Sequence, residues 1–277
     1  MIRRFSRLLA GGFAATMVAY AVAAGFLILN RQELIYPFLP GASVDPVIGL
    51  PNGEIAHLAS QDGTPVALWI SEPDEGHPVV LTFMGNAGNI RASAARTRHL
   101  ADAGYGIVLM NYRGAGGMPG QPSQDAIMAD SLLVYDSLED LFDQQIPSQR
   151  VVIYGYSLGA AVAVQLAAQR PSAAVILGAP FNRLCETAEF HYPAFPVCHI
   201  LPDNHWPSAD VIAQINAPLL ILHGEKDEVI PVQQAQLLFE EAKDPKELRL
   251  YPEANHADLN LYGARKDIRE WLTRTLP

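Results

Sequence analysis

The pentapeptide Gly155-Tyr-Ser157-Leu-Gly159 matches the G-x-S-x-G pattern of nucleophilic serines. A β-branched apolar run at 151–153 precedes it and an alanine-rich run at 160–163 follows it, which predicts a strand, a sharp turn and a helix. Such a turn exposes the serine hydroxyl at the end of a strand, and the two glycines leave room for neighbouring backbone. We therefore interpret Ser157 as the nucleophile of an acyl-transfer reaction.

A serine hydroxyl needs a base to accept its proton and an acid to orient that base. His256 lies just after the predicted strand 247–251, and Asp227 lies just after the predicted strand 219–223. The carboxyl ends of parallel strands meet at one edge of a sheet, so loops at these ends can bring their side chains together. We predict a catalytic triad of Ser157, Asp227 and His256.

Other acidic and histidine residues are weaker candidates for the triad. Glu225 and Glu228 flank Asp227 and are alternative acids, whereas Asp258 would serve only if its own loop folded back. His223 is interpreted as a structural histidine at a strand end. Three further histidines occupy early positions of the sequence without a partner in this scheme: His57, His77 and His99.

The tetrahedral intermediate of acyl transfer carries a negative oxygen that needs fixed hydrogen-bond donors. The backbone N–H of Leu158, at the start of the predicted helix, is one candidate donor. The second is expected in the segment after the predicted strand 78–84, where Gly85 and Gly88 permit close approach of the backbone. We predict that the backbone N–H of Asn86 is this second donor.

Five residues of types that bind zinc have spacings that match no compact zinc-binding pattern. They are Cys185, His191, Cys198, His199 and His205. The glycine-rich segment 113–120 likewise lacks the spacing of dinucleotide-binding or phosphate-binding loops. We predict no metal and no other cofactor. We interpret 113–120 as a loop bordering the substrate pocket, with Tyr112 and Arg113 as structural residues.

The two cysteines, Cys185 and Cys198, fit two alternatives. In an exported protein they meet oxidising conditions and can form one disulfide across a short segment. They can equally be two reduced, buried thiols, because spacing alone does not give the Cα separation that a disulfide requires. The sequence leaves both alternatives open.

The N-terminal segment has the pattern of a membrane anchor. Three arginines within the first seven residues precede an uncharged stretch at 11–29, which at about 1.5 Å per residue nearly spans a hydrocarbon layer of roughly 30 Å. The excess of arginine before this stretch predicts a cytoplasmic N-terminus and a catalytic domain on the far, extracytoplasmic side. The alternative is a signal peptide cleaved after small residues at 21–24, which would release a secreted protein.

Short apolar runs alternate with amphipathic ones along the chain, which predicts an α/β fold with a mostly parallel central sheet and helices on both faces. The predicted strands are 54–60, 64–71, 78–84, 107–111, 150–154, 174–177, 219–223 and 247–251. The predicted helices are 90–103, 123–144, 158–170, 232–242 and 264–275. The first two strands read as a hairpin turned by Asp62-Gly63, which adds antiparallel strands at one edge.

We divide the chain into an anchor or signal segment (1–31), a linker (32–53) and a catalytic domain (54–277). Within that domain, the proline-rich segment 181–217 interrupts the alternation and predicts an irregular, lid-like insertion above the sheet. A chain of 277 residues with 49% hydrophobic residues can bury one sizeable core. Its net charge of −10 argues against nucleic acid as a partner, since phosphate binding needs clustered Lys and Arg.

Taken in chain order, several motifs resemble those of α/β-hydrolase-domain proteins with an N-terminal membrane anchor, a group with lipase-like and protein-depalmitoylating members. These motifs are Gly85-Asn-Ala-Gly-Asn89, Asn111-Tyr-Arg-Gly114, Gly155-Tyr-Ser-Leu-Gly159, His223-Gly-Glu-Lys-Asp227 and Asn255-His-Ala-Asp-Leu259. The resemblance covers roughly residues 54–275. Members usually have His at the position of Met84 and often have Asp at the position of Asn111.

The resemblance implies an α/β-hydrolase fold and a serine hydrolase that cleaves carboxylic esters, or thioesters, through an acyl-enzyme without a cofactor. The substrate would be a small-molecule or lipid-like ester, and the N-terminal helix would hold the enzyme at a membrane. Two alternatives stay open: an aminopeptidase-like amide hydrolase with the same triad, and a non-catalytic binding protein on a hydrolase fold. The oligomeric state is not indicated.

Overall fold

The central feature of the molecule is a mixed, mostly parallel sheet. The computed structural model describes residues 2–38, 49–87, 90–200 and 206–276. Within these ranges eight strands form one sheet, in the order β1-β2-β4-β3-β5-β6-β7-β8. The strands are β1 (Glu54–Ala59), β2 (Pro65–Ser71), β3 (Val79–Phe83), β4 (Gly106–Met110), β5 (Val151–Tyr156), β6 (Ala174–Gly178), β7 (Leu219–Gly224) and β8 (Lys246–Tyr251). The pairs β1–β2 and β2–β4 are antiparallel and the others are parallel, which confirms the predicted sheet.

Helices cover both faces of this sheet. Within the described residues the α-helices of the whole molecule are α1 (Ile2–Leu29), α2 (Arg31–Ile35), α3 (Ile90–Ala101), α4 (Gln124–Asp136), α5 (Leu138–Phe142), α6 (Leu158–Ala167), α7 (Leu184–His191), α8 (Val197–Ile200), α9 (Ser208–Val211), α10 (Val232–Glu241) and α11 (Ala264–Thr275). Helices α3 and α11 pack together on one face, and α4, α6, α9 and α10 form the layer on the other. Because both faces are covered, every residue of β3 through β7 is buried, as their continuous apolar sequences require.

Two stretches differ from the sequence prediction. The helix predicted over 123–144 is divided into α4 and α5, because the backbone leaves helical geometry at Ser137, a residue type that disfavours helix interiors. Its predicted N-cap is confirmed, since the Ser123 hydroxyl accepts a hydrogen bond from the Ala126 N–H at 3.1 Å. The insertion predicted to be irregular contains α7, α8 and α9, because its prolines lie between or at the starts of these short helices, where proline is tolerated.

The N-terminal helix α1 includes Gly11–Leu29, which is long and apolar enough to cross a membrane, with a mean hydropathy of 2.0. The predicted linker 32–53 includes the short helix α2, and residues 39–48 of that linker lie outside the described residues. The chain after α2 is attached to the domain core, since the buried Tyr36 hydroxyl accepts a hydrogen bond from Trp206 Nε1 at 3.1 Å. The bounds of the three predicted segments themselves stay a prediction.

Candidate active site

Ser157 occupies a sharp turn between β5 and α6. Its backbone angles, φ 55° and ψ −120°, are ones that a residue with a side chain rarely adopts. A Cβ atom at Gly155 would lie 2.0 Å from the Gly159 carbonyl oxygen, and one at Gly159 would lie 2.1 Å from the carbonyl oxygen of Phe83. Only glycine fits at either position, which is why the pattern needs both glycines to hold the serine hydroxyl at this edge of the sheet.

The two residues predicted to assist Ser157 lie beside it. Asp227 follows β7 and His256 follows β8, so both loops lie at the carboxyl ends of their strands, as the serine turn does. The His256 Nε2 is 3.1 Å from the Ser157 Oγ, and its Nδ1 is 2.7 Å from the Asp227 Oδ2. An ionised carboxylate can only accept hydrogen bonds, so Nδ1 carries the proton and Nε2 can accept the proton of the serine hydroxyl.

Asp227 is 7% exposed and fully hydrogen-bonded. Its Oδ1 accepts the N–H groups of Val229 and Ile230 at 2.9 and 2.8 Å. Burial by itself raises the pKa of the Asp227 carboxyl, but hydrogen bonds from His223 and His256 outweigh burial and hold this pKa well below its usual range. Asp227 is therefore ionised around neutral pH and can stabilise positive charge on His256.

His223, predicted to be a structural residue, is fully buried at the end of β7 and touches Asp227. Its Nε2 is 2.9 Å from the Ile230 carbonyl oxygen and 3.3 Å from the Asp227 Oδ2. Because both neighbours are acceptors, Nε2 carries the proton. Its Nδ1 is buried and has no hydrogen-bond partner within the described part of the chain. His223 is thus a support for Asp227 that the sequence analysis did not identify.

Tyr156 contacts His256, and Arg96 in turn contacts Tyr156. The Tyr156 hydroxyl donates a hydrogen bond to the His256 carbonyl oxygen. The two rings also meet edge to face, with centroids 5.9 Å apart. The guanidinium carbon of Arg96 on α3 lies 3.7 Å from the centre of the Tyr156 ring, at cation–π distance. The sequence pattern leaves the position of Tyr156 unspecified, so it gave no signal for this role.

The segment after β3 lies against the serine turn. Phe83 pairs with Gly155 in the sheet, and a Cβ at Gly85 would lie 3.4 Å from the Ser157 Cβ. Met84 is buried, and its carbonyl oxygen accepts a hydrogen bond from the Tyr112 hydroxyl at 2.9 Å. This buried tyrosine therefore fixes the start of the segment that contains Asn86.

A cavity of about 210 Å³ lies in front of Ser157. Asn86 and Leu158, the two predicted oxyanion donors, border this cavity together with Ser157, and their roles as donors stay a prediction. The rest of the lining is mainly apolar and comes from the insertion, from the N-terminal helices α1 and α2, and from Val229 and Ile230 of the Asp227 loop. None of the described residues that line the cavity is acidic.

Among the described residues, none of the other candidate acids is hydrogen-bonded to the His256 ring, which pairs with Asp227. Glu225 and Glu228 are exposed on the Asp227 loop, and the Asp258 Oδ1 accepts the Asn255 N–H at 2.7 Å. Among the described residues no group of three or more His, Cys, Asp or Glu side chains could hold a metal ion, and His205 falls outside those residues. His57, His77 and His99 take no part in the hydrogen bonds of the site.

The segment 113–120 was predicted to border the pocket, and this prediction is wrong for the cavity at Ser157. Arg113 is buried and donates two hydrogen bonds to Asp130 on α4, at 2.6 and 2.7 Å. These bonds hold the start of the segment against the helix layer, away from the cavity. The prediction that Tyr112 and Arg113 are structural agrees with their burial.

Cys185 and Cys198 form a disulfide, and their Cα atoms are 4.7 Å apart. Of the two alternatives left open by the sequence, the structure has the bridged one. The disulfide joins α7 to α8, and residues of both helices line the cavity. It therefore constrains the wall that the insertion contributes.

Known proteins of similar sequence and structure agree with this fold. The profile of the family described as serine aminopeptidase, S33, matches residues 74–211 and 207–260. The uncharacterized protein Rv2307c of Mycobacterium tuberculosis is 36% identical over 257 residues, which cover 90% of each chain. Lysophosphatidylserine lipase ABHD12 of Danio rerio is 34% identical over 193 residues, 62% of this chain and 49% of that protein.

Among solved structures, the Pyrococcus furiosus esterase Pf2001 is similar with a TM-score of 0.69 at 19% identity, covering 87% of this chain and 97% of that one. This likeness shows the same fold. The matching profile covers more than half of the chain, and the mycobacterial relative matches nearly its whole length. The chain therefore belongs to the serine aminopeptidase S33 family of α/β hydrolases.

Proposed function

We propose that this chain is a membrane-anchored serine hydrolase that cleaves carboxylic esters, with Ser157 as nucleophile, His256 as base and Asp227 as orienting acid. The observation that carries the proposal is the chain of hydrogen bonds from the Ser157 Oγ through His256 to Asp227, at 3.1 and 2.7 Å. A serine hydroxyl at such a turn, with a neutral Nε2 facing it, has what a nucleophile requires.

In the first half of the reaction the Ser157 Oγ attacks the ester carbonyl carbon while His256 Nε2 takes the hydroxyl proton. Asp227 holds the imidazole through Nδ1 and stabilises its positive charge. The backbone N–H groups of Leu158 and Asn86 are the proposed donors to the negative oxygen of the tetrahedral intermediate. Collapse of that intermediate breaks the bond to the alcohol oxygen, which leaves with the proton from His256.

In the second half a water molecule attacks the acyl-enzyme. His256 takes a proton from this water, and the resulting intermediate releases the carboxylic acid as Ser157 regains its proton. The same steps would cleave a thioester. No step needs a metal or an organic cofactor.

The cavity lining favours an ester over the free N-terminus of a peptide. An aminopeptidase must bind the α-ammonium group of its substrate, and burying a cation requires an opposite charge. None of the described lining residues supplies a carboxylate, whereas Arg31 and His191 do line the cavity. One similar protein is named an esterase and another a lysophosphatidylserine lipase, and both names denote cleavage of an ester.

We further propose that α1 stays attached as the anchor and that the catalytic domain lies on the extracytoplasmic side. The Tyr20 ring stacks on Phe195 of the insertion with centroids 5.0 Å apart, and its hydroxyl donates a hydrogen bond to the Ala194 carbonyl oxygen. Because Tyr20 is at the middle of Gly11–Leu29, the part of the insertion that it contacts would reach into the bilayer. Signal cleavage at 21–24 would remove these contacts. The disulfide also fits an oxidising compartment. An intact N-terminus on the membrane-bound protein is the expected result, and one starting within 22–25 would favour secretion instead.

A fluorophosphonate probe, which reacts with activated serines, tests the proposed nucleophile. Wild type should be labelled and should hydrolyse p-nitrophenyl butyrate, whereas Ser157→Ala should lose both activities by several orders of magnitude. The control is Ser172→Ala, because Ser172 precedes β6 at the opposite edge of the sheet; it should behave like wild type. Full labelling of Ser157→Ala would refute the assignment.

The same preparation separates the two alternative functions. Wild type should cleave p-nitrophenyl esters at least 100-fold faster than aminoacyl p-nitroanilides. The reverse order of rates would favour an aminopeptidase. An unlabelled wild type that cleaves neither class would favour a non-catalytic binding protein.

A further inference from the structure

The N-terminal helices form part of the cavity that contains Ser157. Leu27 in the last turn of α1 and Leu34 and Ile35 of α2 line it, together with residues of the insertion such as Leu184 and Val197. These residues therefore border the same cavity as the reacting serine. The wall formed by Leu27, Leu34 and Ile35 is called the anchor wall below.

The anchor wall is held to the domain at both ends. Before it, Tyr20 contacts the insertion through its ring and its hydroxyl. After it, the buried Tyr36 is bonded to the fully buried Trp206. Tyr20 and Leu27 are seven residues apart, so they lie on the same face of α1. The face opposite to them is exposed, with Leu29 at 82%.

The anchor wall also lies at a defined depth. Leu27 is two residues before the end of the apolar stretch Gly11–Leu29, and α2 begins directly afterwards at Arg31. In a bilayer this point is the border between hydrocarbon and lipid headgroups, where the ester bonds of membrane lipids lie. The serine that borders the same cavity is thereby placed close to that border.

We propose that the anchor wall is part of the substrate-binding site, and that the substrate is a long-chain acyl ester taken directly from the bilayer. The acyl chain packs against Leu27, Leu34 and Ile35 while its carbonyl reaches Ser157. The lining of this cavity is mainly apolar, which suits an acyl chain. This assignment rests on the proposed function and adds its substrate class and its acyl-chain contacts.

A matched pair of substitutions at the end of α1 tests the anchor wall. Leu27→Trp fills the cavity, whereas Leu29→Trp places the same side chain on the exposed face. Full-length variants are reconstituted in vesicles of ether-linked phosphatidylcholine, which has no ester bond to cleave. The substrates are p-nitrophenyl laurate and p-nitrophenyl acetate, which differ only in the acyl chain. The quantity measured is the ratio of kcat/KM for laurate to that for acetate.

Wild type should prefer laurate by at least tenfold, and Leu27→Trp should lower the ratio at least tenfold. Leu34→Trp, at the partly exposed position of α2, should lower it in the same direction and serves as a second variant if Leu27→Trp folds poorly. Leu29→Trp should keep the wild-type ratio within twofold. Equal ratios in all three variants would overturn the proposal.

A separate measurement tests whether the ester substrate reaches the enzyme directly from the bilayer. When protein and laurate ester share one vesicle at a fixed mole fraction, diluting the vesicles tenfold should leave the initial rate per enzyme unchanged. A tenfold fall would show that the ester arrives through water and would overturn this part. If wild type showed neither fluorophosphonate labelling nor acetate turnover, the proposed function would be refuted instead. Failure of the anchor-wall proposal and failure of the proposed function are therefore distinguishable.

Discussion

Two buried carboxylates in this protein have opposite surroundings. Asp130 is 1% exposed, and both of its oxygens accept hydrogen bonds from the buried guanidinium of Arg113. Asp227 is 7% exposed, and it faces two histidines, one of which continues to the hydroxyl of Ser157. Arginine keeps its proton at all ordinary pH values, whereas an imidazole can gain and lose one near neutrality. Burial and pairing of an acid therefore do not distinguish a structural cluster from a catalytic one; the chemistry of its partner does.

The two clusters also differ in the groups that their outermost hydrogen bonds reach. The remaining donors of Arg113 are taken by Ser60 and by Asp62, whose carboxylate pKa is held below its usual range by the hydrogen bond from Arg113. Each of these hydrogen bonds joins two residues of the protein, and none reaches the cavity at Ser157. The chain of bonds from Asp227 ends at a hydroxyl that borders a cavity. The first cluster can only stabilise, while the second can pass a proton to a bound molecule.

The largest expected effect is on activity, from Asp227→Asn. The amide can present its N–H₂ to His256 and favour the wrong imidazole tautomer, so kcat/KM for p-nitrophenyl butyrate should fall about 10⁴-fold per folded molecule. Circular dichroism confirms that the variant is folded, and active-site titration gives the amount of enzyme. Activity above a tenth of wild type would show that Asp227 does not orient the base.

The same chemical change at the other cluster, Asp130→Asn, should act on stability instead. It leaves the buried Arg113 with Asp62 as its remaining acidic partner, so the loss in the free energy of unfolding should approach the about 3–5 kcal/mol typical of a broken buried pair. Urea denaturation of the detergent-solubilised protein measures this loss. Activity per folded molecule should stay within twofold of wild type. A 10²-fold loss of activity without destabilisation would mean that the contrast between the clusters is wrong.

The sequence signals for the two clusters differ for a physical reason. The turn at Ser157 could be predicted because the backbone contacts at Gly155 and Gly159 leave no room for another residue type, so local sequence and function coincide. Asp227 and His256 followed from their places after predicted strands. Arg113 gave no such signal, since its partner Asp130 lies on a separate helix and the pairing depends on tertiary packing.

The position of the anchor wall beside the cavity likewise depends on tertiary packing and could not be predicted from the sequence. An apolar helix has the same pattern whether a given face meets lipid or protein, so nothing in the residues around Leu27 predicts that it borders the cavity. The insertion was mispredicted as irregular for a related reason, because prolines between short helices resemble prolines in a loop. Strands and helices of the core were predicted closely since continuous burial fixes their composition.

A smaller effect is expected at His223, which would extend the catalytic cluster by one residue. His223→Leu removes a donor to the ionised Asp227, and a hydrogen bond to a charged group contributes about 1.5–3 kcal/mol, so kcat should fall about 10–100-fold. His223→Gln keeps a donor near the position of Nε2 and should recover most of kcat. Equal losses in both variants, with a matching loss of stability, would make His223 a packing residue only.

The smallest effect is a pH dependence of stability that separates Asp227 from the other acids. The folded-state pKa of Asp227 is lowered, so as the pH falls the unfolded chain, with an aspartate pKa of about 3.9, binds this proton first. The stabilisation from the ionised carboxylate is therefore fully present above that unfolded pKa and is lost as the pH falls toward the lower folded one. The Tm of wild type minus the Tm of Asp227→Asn should shrink between pH 6 and pH 3, as differential scanning calorimetry can measure. All other acids are common to both proteins and cancel in this difference, so a constant value would mean that the hydrogen bonds from the two histidines do not favour the ionised form.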